Sequence, residues 1–76
     1  MIAEHDSVVL TADLPEESLK AGDVGVVVHI YQNGAAYIVE FMTLRGETIA
    51  VTTVTSDQVR AINESDMGHV RERRHA

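Results

Sequence analysis

The sequence feature that most restricts the fold is an Asn-Gly pair, Asn33 and Gly34, between two runs of alternating apolar residues. Such a pair is the strongest short-range signal for a β-hairpin, because both residues tolerate the positive φ of a type I′ turn. A two-residue turn centred on this pair fixes the register of the flanking strands. It places six apolar residues on one buried face: Val26, Val28, Ile30, Tyr37, Val39 and Phe41.

A second hairpin is predicted between residues 36–42 and residues 48–54, because the latter run is rich in threonine, valine and isoleucine. Gly46 is expected in the left-handed conformation within a three-residue loop. The expected cross-strand pairs extend the same buried face: Phe41 with Ile49, and Val39 with Val51.

The remaining segments complete a five-stranded domain. Residues 5–12 contain a short first strand, and Pro15 makes residues 13–19 a loop whose leucines, Leu14 and Leu19, cap the core. A turn and a bulge or bend are expected at two glycines, Gly22 and Gly25. A 3₁₀ turn over residues 56–59, capped by Ser56 or Asp57, precedes a closing strand over residues 60–62. A helix over residues 56–64 is the alternative for this last part.

This order of elements predicts an all-β fold, a small five-stranded SH3-like barrel over residues 1–64 with a flexible basic tail over residues 65–76. The 76 residues suffice for one domain. The chain has no cysteine, no run of transmembrane length and no signal-like start, so a cytoplasmic protein without cofactors is expected. Charge is uneven, since residues 1–68 carry a net −8 and residues 69–76 a net +2. The tail is either a solvated end or a basic arm that docks on a partner or a neighbouring subunit.

The chain also resembles a known family in several stretches: Leu14-Pro15-Glu16-Glu17, residues 19–28, Val39-Glu40-Phe41 and Gly46-Glu47-Thr48. These are similar to the pattern of a small, uncharacterised bacterial family, domain of unknown function 4926, over about residues 5–62. The resemblance implies an SH3-like barrel encoded as a short free-standing protein, and it brings no activity or site residues. Residues 22–27 are more loosely similar to the glycine-and-valine signature of KOW domains, some of which bind RNA.

Composition and spacing weigh against nucleic acid, catalysis and metals. Residues 1–68 include three basic residues and eleven acidic ones, whereas phosphate binding needs lysine and arginine. His29 and Glu40 are expected to lie diagonally on an outer face that offers no cleft for acid–base chemistry. The terminal histidines His5, His69 and His75 lack the spacing of metal ligands. We therefore expect no enzyme activity and no metal site.

Protein binding is the function that the sequence favours. The predicted outer face of the central hairpin includes three apolar residues, Val27, Ile38 and Met42, unless the first loop or the C-terminal segment covers it. The first loop adds three carboxylates: Asp13, Glu16 and Glu17. Together they predict an antitoxin- or immunity-like partner of a basic protein. The alternatives are an accessory subunit of an enzyme complex and, less favoured, an RNA-binding domain. Self-association into a homo-oligomer is also expected.

Overall fold

The structure, a computed structural model, describes residues 2–73 and contains one antiparallel sheet of five strands. The strands are β1 (Ser7–Leu10), β2 (Val24–Tyr31), β3 (Ala36–Met42), β4 (Thr48–Thr55) and β5 (Val59–Ala61). Three 3₁₀ turns lie between them: Pro15–Glu17, Gln32–Gly34 and Ser56–Gln58. The predicted all-β class, the five strands and the 3₁₀ turn before the last strand are confirmed. The alternative helix over residues 56–64 does not form.

The core lies on one side of the sheet and receives side chains from all five strands. Its members are Val8, Leu10, Leu19, Val27, Tyr37, Val39, Phe41, Val54 and Val59. The strands lie in the order β4-β3-β2-β1-β5. Each of the five contributes at least one side chain to this cluster. A single sheet can bury one face without a second layer only by curving around it. The all-β class with one five-stranded sheet is confirmed, and the SH3-like barrel stays a prediction.

The first hairpin has the predicted turn residues in a longer loop. Asn33 has φ 58° and Gly34 has φ 101°, so both adopt the positive φ that their positions require. Gln32 also has a positive φ, and the connection between β2 and β3 is the four-residue loop 32–35. The two-residue turn was therefore wrong in length. The pairing next to the loop, Tyr31 with Ala36 and Ile30 with Tyr37, is as predicted.

A β-bulge at Val28 changes the face that the first half of β2 presents to the core. Val27 is opposite Val39 and His29 is opposite Ile38, so Val28 is an extra residue on β2. The predicted pairs of Val28 with Val39 and of Val26 with Phe41 are therefore wrong. Val27, predicted to face outward, is fully buried, and Val28 is 38% exposed.

A second bulge, at Ile49, has the same effect on β4. Met42 pairs with Thr48, but Phe41 pairs with Ala50, which leaves Ile49 as the extra residue. The predicted pairs of Phe41 with Ile49 and of Val39 with Val51 are wrong for this reason. The three-residue loop is confirmed, since Thr43 N–H donates to Glu47 O over 2.8 Å and Gly46 has φ 90°.

The two glycines that precede and begin β2 have different roles. Gly22 has φ 96° in the turn that leads into the strand, where its N–H donates to Leu10 O over 2.8 Å. Gly25 has no bulge; it is buried and lies so close to β3 that a Cβ there would be 2.5 Å from Val39 Cγ1. The predicted turn is confirmed, and the predicted irregularity lies three residues further on, at Val28.

The last 3₁₀ turn is capped from β4 rather than from within the turn. Thr55 occupies the N-cap position; its N–H donates to Gln58 Oε1 over 2.8 Å, and its hydroxyl donates to the Asp57 carboxylate. The predicted caps, Ser56 and Asp57, belong to the turn itself. Leu19 is buried in the core and Leu14 packs partly against it, as predicted.

Candidate functional site

The first loop is held in a fixed shape by its own backbone and by one carboxylate. Leu14 and Leu19 form a two-way bridge, with N–H to O distances of 2.9 and 3.1 Å. Pro15 begins the 3₁₀ turn between them, because its fixed φ suits the first position of a helical turn. Asp13 Oδ1 accepts the N–H of Ala21 over 2.8 Å, which ties the two ends of the loop together.

The three acidic residues predicted to bind a partner line one open cleft. The cleft has a volume of about 320 Å³ and lies between the first loop and β4. Its lining residues are Asp13, Leu14, Pro15, Glu16, Glu17, Thr52, Thr53 and Gln58. Asp13, Glu16 and Glu17 are all exposed, so their charges face solvent. The three acidic residues of the first loop thus share one cleft with residues of β4.

Of the three apolar residues predicted to contact a partner, one is buried and two lie on the outer face of the sheet. Val27 is fully buried in the core and cannot contact a partner, because the bulge at Val28 turns it inward. Ile38 is partly buried on the outer face, and Met42 is 38% exposed. Val51, 57% exposed on β4, is an outward residue that the regular register had placed in the core.

The predicted neighbours His29 and Glu40 each have a different partner. The His29 ring meets the Tyr31 ring edge-on, with 4.7 Å between centroids. Glu40 accepts a hydrogen bond from the Thr48 hydroxyl over 2.6 Å. The arrangement therefore contains no hydrogen-bonded acid–base pair between His29 and Glu40.

Residues 2–73 contain no cluster of three or more histidine, aspartate or glutamate side chains suited to a metal ion. Of the histidines considered as ligands, His75 lies outside the described residues. Within the same part of the chain, no helix has the length and apolarity needed to cross a membrane.

The basic C-terminal segment contacts the acidic body of its own chain. Arg71 donates two hydrogen bonds to the Asp23 carboxylate, from Nε to Oδ1 at 2.7 Å and from Nη2 to Oδ2 at 2.5 Å. Arg71 also lies 3.4 Å from Ser18 O. Burial alone would raise the pKa of Asp23, but hydrogen bonds from Arg71 and from Lys20 N–H outweigh it and lower the pKa. The contact joins the turn before β2 to a residue 48 positions further along the chain.

A second ion pair fixes the start of this segment. Arg60 of β5 donates two hydrogen bonds to the Asp66 carboxylate, at 2.8 and 2.9 Å. Asp66 also accepts the N–H of Asn63 over 2.8 Å. The hydrogen bonds from Arg60 and Asn63 lower the pKa of Asp66 to about 2. Sequence spacing gave no sign of either ion pair. The predicted alternatives for the tail were a solvated end or an arm that docks on a partner or a neighbouring subunit, whereas Arg71 contacts its own chain.

Comparison with known proteins gives one family. The model of a family described as Domain of unknown function (DUF4926) matches residues 4–61, which confirms the resemblance seen in the sequence. No curated protein and no solved structure matches the chain. The match includes all five strands and the acidic cleft, and it ends before Asp66 and Arg71.

Proposed function

The chain belongs to the DUF4926 family, whose description assigns no function, and from this premise we propose that it is a non-enzymatic protein-binding module. The observation that carries the proposal is the cleft beside β4 that Asp13, Glu16 and Glu17 line. Three exposed carboxylates at one place give a partner with lysine or arginine side chains a defined surface to recognise.

The partner that fits this surface is a basic protein. Residues 1–68 carry a net charge of −8, so the whole body attracts positive charge before contact. Such attraction mainly increases the association rate and rejects acidic competitors. We propose on this basis an antitoxin- or immunity-like role, in which the module masks a basic site on another protein.

Apolar contact adjoining the acidic surface is supplied by the outer face of the sheet. Ile38 and Met42 lie there on β3, and Val51 extends the same face onto β4. Partly exposed apolar side chains of this kind form the centre of an interface, with charged residues at its rim. Val27 has no part in this surface, since it is buried.

The test is affinity capture from the native lysate with charge variants of the chain. The cleft variant carries Asp13→Asn, Glu16→Gln and Glu17→Gln. Its matched control removes the same charge elsewhere, through Glu4→Gln, Glu47→Gln and Glu64→Gln, all at exposed positions. We expect the wild type and the control to capture the same basic protein, the cleft variant to lose it, and about 0.5 M salt to release it.

Two results would overturn the proposal. Equal loss by both variants would show that only net charge matters, and retention by the cleft variant would place the contact elsewhere. In the latter case, dependence on Ile38 and Met42 without sensitivity to salt would favour the accessory-subunit alternative.

A further inference from the structure

The strand beside the acidic cleft is an unprotected edge of the sheet. In the order β4-β3-β2-β1-β5, β4 has a neighbour on one side within residues 2–73. Its eight residues, Thr-Ile-Ala-Val-Thr-Thr-Val-Thr, include no charge, proline or glycine. Natural proteins usually block such edges with lysine, proline, bulges or a covering loop. The bulge at Ile49 disturbs the start of β4, and its second half carries no lysine, proline or bulge.

The hydrogen-bond pattern shows which residues of β4 bond to β3. Ser56 N–H donates to Ala35 O over 3.1 Å at the end of the ladder. Facing pairs in an antiparallel ladder alternate between hydrogen-bonded and non-hydrogen-bonded. With the observed register, Val54 and Thr52 are therefore the residues whose backbone groups face β3.

The intervening residues direct their backbone groups away from the sheet. These are Val51, Thr53 and Thr55. The N–H of Thr55 is already used, since it donates to Gln58 Oε1. Val51 and Thr53 each leave one N–H and one C=O facing outward, with no partner among the described residues. Gln58 thus marks one end of a short stretch of free strand edge.

This free edge leads into the acidic cleft. Thr53 and Gln58 line the cleft together with Asp13, Glu16 and Glu17. Thr52 also lines it, and since Thr52 and Thr53 point to opposite faces of the sheet, the cleft opens at the strand's edge.

We propose that β4 binds an extended, basic segment of a partner protein as an added sixth strand, hydrogen-bonded to Val51 and Thr53. The inference rests on the proposed function and specifies its binding mode. In strand addition the backbone bonds supply affinity and alternate side chains supply specificity. Here the alternate side chains that face the first loop are lysine or arginine, because Asp13, Glu16 and Glu17 lie there.

Charge decides against a second copy of this chain as the added strand. Two copies paired through β4 would bring together two bodies of net −8, each with the same carboxylates beside the shared edge. Like charges at close range oppose such a pair. A basic segment turns the same carboxylates into attractive contacts.

The experiment uses the full chain and a peptide of alternating lysine and threonine, about ten residues long. The protein variants are Thr53→Pro, which removes the outward N–H, and Thr53→Ala, which keeps it. Proline is tolerated where an edge residue's N–H faces solvent, and this N–H makes no bond to β3. We expect the wild type and Thr53→Ala to bind equally and Thr53→Pro to bind at least about tenfold more weakly, as expected for lost hydrogen bonds.

Two further measurements keep the test independent of that variant's folding. Amide hydrogen exchange at Val51 and Thr53 should slow when the peptide binds the wild type. A peptide with the same charges but methylated at alternate backbone nitrogens should bind weakly and leave exchange unchanged, because it lacks the donors for a ladder.

The outcomes separate this inference from the proposed function. Strand addition is refuted if Thr53→Pro and Thr53→Ala bind the peptide equally and amide exchange is unchanged. If that binding still depends on the cleft carboxylates, the proposed charge recognition stands. Failure of the wild type to bind this peptide or any basic protein at low salt overturns both. A dimer that Thr53→Pro disrupts would make a second copy the occupant and refute the inference.

Discussion

Gly25 offers the sharpest test of the packing between β2 and β3. A Cβ at this position would lie 2.5 Å from Val39 Cγ1, 2.9 Å from Glu40 O and 2.9 Å from Phe41 Cδ1. Non-bonded carbon atoms prefer separations of about 3.5–4.0 Å. Glu40 O belongs to the backbone of the neighbouring strand, so it cannot rotate away as a flexible side chain would. Gly25→Ala therefore forces the two strands apart.

The size of the effect follows from two opposing contributions. Overpacking a well-packed site costs about 1–3 kcal/mol. Alanine recovers about 0.5–1 kcal/mol, because glycine loses more backbone entropy when it is ordered in a strand. The difference is about 0–2.5 kcal/mol. Because Glu40 O cannot rotate away, we expect the upper part of this range, about 1–2 kcal/mol, out of a total unfolding free energy of about 4–11 kcal/mol for a chain of this length. At about 4–8 °C per kcal/mol, the Tm should fall by about 4–16 °C.

The measurement is thermal and urea unfolding followed by far-ultraviolet circular dichroism. Gly68→Ala is the matched control, because no atom lies within 4 Å of its added Cβ and its φ is ordinary. The control should remain within about 0.5 kcal/mol of the wild type. A Gly25→Ala variant that melts at or above the wild-type temperature would show that the close approach of β2 and β3 does not exist.

Three further predictions test other features. Val27→Asp places an unpaired charge at a fully buried site and should abolish the circular dichroism spectrum of the folded state. Met42→Asp, on the surface, should preserve that spectrum. A folded Val27→Asp variant would contradict the bulge. Asp66 should titrate with a pKa of about 2 by NMR, below its ordinary 3.8, so its stabilising contribution is present above about pH 4 and lost as the pH falls towards 2. Arg60→Gln should return that pKa towards its ordinary value, and an unchanged midpoint would exclude the ion pair. Gly46→Ala should cost about 1–2 kcal/mol in urea unfolding because φ is 90°, and Gly46→Asn should cost less; equal stabilities would argue against the left-handed loop.

The parts of the fold that depend on local chemistry could be predicted from the sequence. Asn33, Gly34 and Gly46 have positive φ, as expected from residues that tolerate it. Pro15 keeps the first loop out of the sheet, and Leu19 caps the core from that loop. Each of these outcomes is decided within a few residues of chain.

The two bulges could not be predicted, because they depend on packing between strands. The apolar residues of a strand alternate in the same way whether or not its ladder contains an extra residue. The register that makes Val28 and Ile49 the extra residues is set by pairing with β3, which no local signal describes. The missed bulges also made part of the predicted binding surface wrong. Val27 was assigned to the surface, and Val51, which is exposed, was assigned to the core.

The acidic part of the candidate site was predictable for a different reason. Asp13, Glu16 and Glu17 belong to one short loop, so their proximity needs no knowledge of register. Their position beside Thr53 depends on how the loop packs against β4, which no local signal describes. The ion pair of Arg71 with Asp23 spans the chain and was unpredictable in the same way.

The ion pair between Arg71 and Asp23 makes the C-terminal segment a ligand that is tethered to the surface it binds. A short tether holds such a group at an effective concentration on the order of millimolar. The same segment of another molecule, or a basic side chain of a partner, can displace it only at comparable concentrations or with additional contacts. Below that concentration Arg71 of the same chain outcompetes an equivalent arginine of another molecule for Asp23. Tethering thus divides the acidic surface: Asp23 pairs with Arg71 of its own chain, whereas Glu16 and Glu17 are the carboxylates that the proposed partner meets without such a competitor.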